Sequence, residues 1–357
     1  MRRFDWLLVL AGFLLFSIGI AAIASVELSR GGHSAFVEKQ SIALILGLIL
    51  GILGARANYQ IFRSYARIMY VIGIVSLLGL FVFGATLNGT TGWYIVGGFA
   101  FQPIEIMKLG LILELARYFA DDAEQPFEWR EFFGSGVRLL VPVILILFQP
   151  DFGGALLLCG IWFVMAFFAG LRAQHVAIVS GILLSGFLIG WFGLFASYQK
   201  DRIMTFLDPT ADPQGSGYNV TQALVAIGSG GLIGRGLGGG SQSQLRFLPE
   251  SQSDFIFAVI GEELGFVGIV LLFGGFLLLL SRMLLLSYRS RDYFGSYLVT
   301  GVLALFFMQI VVHVGANLGL MPATGIPLPL VSYGGTSLML SLALLGMVES
   351  VASKTRG

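Results

Sequence analysis

Charge is what this sequence has least of. Only 11% of its 357 residues are Asp, Glu, Lys or Arg, and a soluble surface needs far more to stay dispersed, so a set of soluble domains is excluded. The 21 basic and 20 acidic residues nearly cancel, and no basic cluster interleaved with aromatics occurs, so nucleic acid is not an expected partner. Cys159 stands alone in an apolar run, which excludes a disulfide framework and leaves the redox compartment open. The three histidines, His33, His175 and His313, fall in different segments and form no ligand cluster, which argues against a zinc site. GxSxG, HExxH and Walker patterns are missing, which removes hydrolase, zinc protease and ATPase readings. Any driving energy must come with the substrate or from a gradient.

Apolar sequence is what there is in abundance. Hydrophobic residues make up 56% of the chain and mean hydropathy is +0.87, values that belong to polytopic membrane proteins. A helix needs ~20 mostly apolar residues to cross a bilayer, fewer where neighbours bury it. Ten such runs occur: Trp6 to Val26, Gln40 to Ala57, Tyr65 to Leu87, Pro103 to Phe119, Val137 to Gln149, Phe152 to Gly170, Gln174 to Ala196, Phe255 to Ser281, Phe294 to Gly315 and Tyr333 to Val351. The first has a basic start like a signal peptide, but its apolar run is too long for one, and it reads as a retained span. The fifth and sixth are separated only by Pro150 and Asp151. One kinked helix there would leave nine spans, but the stretch is long enough to cross the membrane well over once, which favours a tight turn at Gln149-Pro150-Asp151.

Basic residues at span ends set the orientation. With the N-terminus inside, the cytoplasmic segments collect fourteen Lys and Arg, and the short external ones hold only Arg30 and Lys39. The expectation is an all-α polytopic membrane protein, a single domain over residues 1–357, with about ten transmembrane helices and both termini in the cytoplasm. Residues 196–254 then form one large extracytoplasmic loop between the seventh and eighth helices. Within it, Val220, Ala223, Leu224 and Ile227 recur with helical period and predict a short amphipathic helix lying on the membrane surface. GSGGLIGRGLGGG follows, a weak dinucleotide fingerprint because no βαβ unit surrounds it, and an unspecific phosphate cradle with Arg235 and Arg246. No internal repeat is visible, which weakens an inverted-repeat transporter reading.

Against this sparse background, each charge near the membrane carries information. Asp254 precedes the eighth run, in RFLPESQSDFIFAVIGEELG. It reads as a helix cap or as a general base whose pKa partial desolvation lifts from ~3.9 toward neutrality. Glu250 lies four residues earlier, and the two carboxylates suit a divalent cation carrying a ligand's phosphates. Glu105 and Lys108, at i, i+3 in the fourth run, share a helical face as a structural ion pair or as a site at which the lysine meets a pyrophosphate. Asp151 reads first as a cap for the sixth span, opening on the same outer face as Asp254. Trp93 reads as an interface anchor or a sugar-stacking ring. Glu262 and Glu263 fall about two turns into the eighth run, where helix packing or a cavity wall suits them better than acid–base work.

Joined together, the motifs resemble a known family. DRIMTFLDPTADPQGSGYNVTQALVAIGSGGLIGRGLG, FLPESQSDFIFAVIGEELGFVG and NLGLMPATGIPLPLVSYGGTSLM, with FQPIEIMKL and the QPDFG turn, look like the SEDS family of bacterial cell-shape and division proteins, over essentially the whole chain. The short tail before the first span and the form ATGIPLPLVSYGG are more similar to the RodA elongation branch than to the FtsW division branch. Ser253 departs from the family, which more often has Thr there and so keeps the hydroxyl. The resemblance implies a peptidoglycan glycosyltransferase of the cytoplasmic membrane that polymerises lipid II at its outer face, with Asp254 essential and Trp93 and Glu105 functionally sensitive. It also implies a class B penicillin-binding protein, a transpeptidase, as membrane partner, among other elongation-complex proteins and membrane lipids. The chemistry agrees. An α-linked diphosphate donor yields a β-1,4 link by inversion, needing one base, Asp254, and cations at the departing diphosphate: Lys108, some of Arg202, Arg235 and Arg246, and a divalent ion such as Mg²⁺ or Mn²⁺. The rival readings are a lipid II flippase and a non-catalytic scaffold that activates the transpeptidase.

Overall fold

The computed structural model describes residues 4–28, 35–87, 90–96, 99–194, 200, 204, 216–322 and 324–355. Helices lie along the ten apolar runs, one to each. They are α1 (Trp6–Leu28), α2 (Ala35–Arg56), α3 (Tyr59–Phe83), α4 (Pro103–Asp121), α5 (Trp129–Leu147), α6 (Phe152–Phe168), α7 (Ala173–Ile189), α10 (Ile256–Arg289), α11 (Tyr293–Asn317) and α12 (Gly335–Thr355), with α8 (Ser216–Ser229) and the single turn α9 (Ser241–Gln244) between α7 and α10. By length and apolar composition seven of them reach across a membrane. Of the others, α4 carries Glu105, Lys108, Glu114 and Arg117, and α6 has 17 residues. The chain turns between α5 and α6, where the Gln149 side chain donates to the Leu77 carbonyl (2.9 Å) and Asp151 caps α6 by accepting from the Gly154 N–H (2.7 Å).

In a bilayer the outer residues of such a bundle face lipid, so apolar side chains are exposed along α2, α3 and the second part of α10, while the interior packs through small residues. A Cβ on Gly346 of α12 would collide with the Gly51 carbonyl of α2, and one on Gly110 of α4 would press on the α3 backbone at Met69 and Tyr70. At the centre stands α11, buried around most of its circumference and packed against α4, α6, α10 and α12. The chain's two ends meet on one side, where the Asp5 N–H donates to Glu349 Oε1 (2.7 Å) and Arg282 pairs with Asp5 (2.5 Å).

Three local features differ from expectation. Residues 85–101, expected to be the end of a span and a short loop, contain a three-stranded antiparallel sheet: β1 (Ala85–Leu87), β2 (Thr90–Val96) and β3 (Phe99–Phe101), in that order. TTGWYIV is dense in β-branched and aromatic residues, which fit a pleated surface.

The eighth run forms a helix of 34 residues broken at Gly265 (φ 64°, ψ −160°). At ~1.5 Å per residue an unbroken helix of that length would far exceed a ~30 Å core. The break divides it into an arm, 256–264, buried from Ile256 to Glu263, and a lipid-facing span from Phe266 onward.

The amphipathic helix exists as α8, but its apolar face packs on protein rather than on the bilayer. Ala223, Ala226 and Ile227 cover Leu248, Phe255 and, on the arm, Ala258, while Leu224 stays exposed.

Candidate active site

Asp254 closes a tight turn at the mouth of the arm. The Glu250 carbonyl accepts from the N–H groups of Ser253 (3.1 Å), Asp254 (3.0 Å) and Phe255 (3.4 Å). Closing that turn puts Glu250 in the left-handed region (φ 48°), an uncommon conformation for a side-chain-bearing residue. Burial raises the Asp254 pKa to about 6; a hydrogen bond from Ser253 opposes the rise and the nearby Glu250 charge adds to it. The aspartate is not the side-chain cap of α10. Phe255 occupies the cap position and makes no side-chain cap bond.

Residues 324–334, which lead into α12, wrap this turn. Ser332 Oγ donates to the Ser253 carbonyl (2.7 Å) and accepts from the Leu328 N–H (2.9 Å), and the Tyr333 N–H donates to the Gln252 carbonyl (2.9 Å). Gln40 of α2 holds the same segment from behind, through the Ser332 carbonyl (3.1 Å) and the Gly334 N–H (3.2 Å). Gly325 (φ 69°) is exposed beside the carboxylate, and a Cβ on it would lie 3.7 Å from Asp254 Oδ2. Bare backbone here leaves room for a ligand to approach the aspartate.

The other candidate charges form a second group behind the same segment. Lys108 Nζ and Glu105 Oε1 make a buried ion pair (2.8 Å), and Glu105 Oε2 is left without a hydrogen-bond partner. Asp151 lies within their electrostatic reach. Burial pushes its pKa up, the Gly154 N–H and Lys108 pull it down, and Glu105 pushes it up. A Cβ on Gly153 would meet Thr324 and Ile326, and one on Gly154 would meet Ile104 and Asp151. The 324–326 turn therefore stands between the Asp254 group and the Asp151, Glu105 and Lys108 group.

Trp93 is half-exposed in β2, opposite Ala85. Its neighbour Tyr94 reaches α3, donating to the Ser76 carbonyl (2.9 Å), and strand alternation turns Trp93 to the opposite face.

The basic residues of the long loop fare differently. Arg202 lies outside the described residues. Arg246 is exposed, in the left-handed region (φ 62°). Arg235 braces its own loop through the Ser229 carbonyl (3.3 Å) and Ser241 Oγ (3.1 Å).

The glycine-dense segment serves as a clasp for the broken helix. At the break the carbonyls of Glu262 and Glu263 accept from the N–H groups of Arg235 (3.0 Å) and Gly236 (2.9 Å), while those of Phe266 and Val267 donate to the carbonyls of Gly231 (2.9 Å) and Leu232 (3.1 Å). Two carbonyls and two N–H groups at the break are thus re-paired with the loop. The Glu262 and Glu263 side chains finish the joint, Glu262 accepting from the Gln242 N–H (2.8 Å) and Glu263 from Ser25 of α1 (2.6 Å). This is the packing role expected of them. Among the described residues no three His, Cys, Asp or Glu side chains converge as a metal site. Sequence reasoning passed over Gln40, Ser332 and Asn317, polar residues at span ends and in a segment quoted only as a motif.

The family model described as FtsW/RodA/SpoVE, cell cycle protein, matches residues 3–357. The chain is 36% identical to the peptidoglycan glycosyltransferase MrdB of Escherichia coli (strain K12), over 97% of this chain and 92% of that one. It is 32% identical to the peptidoglycan glycosyltransferase RodA of Treponema pallidum, over 98% of each. Two solved structures share the fold. One is described as "Structural coordination of polymerization and crosslinking by a peptidoglycan synthase complex" (TM-score 0.86, 31% identity, 99% of both chains). The other is the rod shape determining protein RodA of Thermus thermophilus (TM-score 0.73, 31% identity, 99% of this chain and 98% of that one). The chain belongs to the FtsW/RodA/SpoVE family of cell cycle proteins.

Proposed function

We infer that this multi-pass inner-membrane protein is a peptidoglycan glycosyltransferase that polymerises lipid II at the outer face of the membrane during cell elongation. The observation that carries the mechanism is the half-buried Asp254 carboxylate, its pKa near 6, beside exposed backbone at Gly325. A general base works best with a pKa close to the operating pH. In the reaction a sugar 4-hydroxyl attacks the anomeric carbon of an α-linked diphosphate donor from the opposite side. The new β-1,4 C–O bond forms as the bond to the lipid diphosphate breaks, and Asp254 takes the hydroxyl proton.

The leaving diphosphate carries negative charge, and Lys108 and Arg246 are the cations of this chain assigned to it, with Arg202 in the undescribed part of the loop. Lys108 would have to share its ammonium between Glu105 and the ligand. Glu105 holds that lysine in place, with the Asp151 charge nearby, and Trp93 stacks on a sugar ring. A divalent cation, Mg²⁺ or Mn²⁺, would add positive charge at the diphosphate. Glu250 beside Asp254 suits it, since Mg²⁺ takes few protein carboxylates and keeps phosphates and waters as its other ligands. The crosslinking named for the solved peptidoglycan synthase complex supports a transpeptidase of the class B penicillin-binding type as partner.

The test is polymerisation of purified lipid II in detergent or liposomes. Asp254→Ala is expected to abolish glycan strands while the protein remains folded, and chelation of divalent ions is expected to slow the wild type severalfold. Substantial polymer from Asp254→Ala overturns the assignment of the base.

A further inference from the structure

Asp254 is held by groups that come from another helix. Its backbone carbonyl accepts from Asn317 Nδ2 (2.9 Å), which also donates to the His313 carbonyl one turn earlier on α11 (2.9 Å). The oxygen of the same amide accepts from the Ala258 N–H (3.2 Å). Ala258 is the third residue of α10, and its N–H is one of the orphan donors that a capping side chain ordinarily satisfies. Phe255 at the cap position has no side-chain oxygen to offer, so Asn317 caps α10 from across the interface. The amide is fully buried, and its bonds go to the helix start and the aspartate rather than to solvent.

One turn below, His313 performs a matching task on the other side of the carboxylate. Its Nδ1 donates to the Ile326 carbonyl (2.8 Å), which anchors the turn carrying Gly325 past Asp254 Oδ2. Both side chains are buried on the most enclosed helix of the bundle, whose backbone cannot readily shift. We propose that Asn317 and His313 are positioning residues for the glycosyl transfer, Asn317 fixing the Asp254 backbone by capping α10 in trans and His313 fixing the 324–326 turn that walls the carboxylate.

The proposal rests on Asp254 being the base, so the experiment carries its own reference. Polymerisation rates are measured against lipid II concentration for wild type, Asp254→Ala, Asn317→Ala, His313→Leu and His313→Asn, from about pH 5 to about pH 9. A misplaced base costs turnover more than binding. Asn317→Ala is therefore expected to lower kcat by about 10- to 100-fold with KM little changed. The frayed helix start wets the carboxylate, so the acid limb of the rate profile moves to lower pH. His313→Leu is expected to lose activity similarly, whereas His313→Asn, whose amide can still donate to the Ile326 carbonyl, recovers most of it.

Wild-type rates in Asn317→Ala and His313→Leu overturn the proposal, as does an Asn317→Ala loss that leaves the acid limb unmoved. If Asn317→Ala does not fold, the His313 pair decides, and equal impairment of its two variants overturns the proposal. An active Asp254→Ala instead removes the reading of the base itself.

Discussion

A carboxylate with a pKa near 6 works as a base only above that value, and the protein holds it there at a cost. Because the folded-state pKa of Asp254 lies above the ordinary 3.8, the folded chain binds the proton more tightly than the unfolded chain does. Stability from this group is therefore full below pH 3.8 and falls as pH rises through about 6. Removing the charge should reverse that cost: Asp254→Asn is expected to be inactive yet more stable, by on the order of 1 to 3 kcal/mol, read as a raised Tm at neutral pH. The wild-type rate should rise as pH increases through about 6, and a rate that falls across that interval would contradict the role. The Glu105 and Lys108 pair obeys a different rule, since both groups are almost wholly buried. Lys108→Met leaves a buried carboxylate unpaired and is expected to destabilise by about 3 to 5 kcal/mol. Adding Glu105→Gln should restore much of that loss without restoring activity, as denaturation and polymerisation of the single and double variants would show. At this scale the sequence was informative because charge is scarce: Asp254, Glu250, Asp151, Glu105 and Lys108 stood out. Asn317 did not, since a lone amide at a span end carries no charge and its partners lie 59 and 63 residues away.

Among the elements, α10 departs most from what its sequence suggests. EELGFVG continues an apolar run without proline, and hydropathy alone cannot tell a broken helix from a straight one. The break depends on a clasp supplied by residues 231–236 of the long loop, a contact that no local pattern encodes. It also explains the glycine density. Gly234 sits at φ 77°, and a Cβ there would collide with the Glu263 carbonyl. Gly234→Ala is expected to destabilise by roughly 2 to 4 kcal/mol, combining left-handed strain with that collision. Gly236→Ala, with open space around its Cβ site, bears the backbone strain alone and should lose less. Equal Tm losses in the two variants would show that the close approach contributes nothing. The β1–β3 sheet was missed for a related reason: β1 and β3 have three residues each, too short for a period-2 signal, and the seven of β2 run TTGWYIV without a polar/apolar alternation.

For the whole molecule, the helical membrane fold was legible because a bilayer demands length and apolarity of its spans, and those demands are written in composition; seven helices meet both. Orientation rests on the distribution of Lys and Arg alone, and this makes a direct prediction. In a Cys159→Ser background, a membrane-impermeant maleimide added to intact spheroplasts should label Ala100→Cys, exposed on β3, and not Glu124→Cys, exposed between α4 and α5. Inverted vesicles should give the opposite pattern. The reverse labelling would place the Asp254 turn on the cytoplasmic side and break the link between this site and a glycan assembled outside. The expected labelling aligns the Asp254 turn, the 324–326 turn, Asp151 and the β1–β3 sheet on one outer face, because these segments all join helices at the same end of the bundle. A polymerase of a lipid-linked sugar needs that alignment, with its polar chemistry at the rim and its lipid-facing walls below.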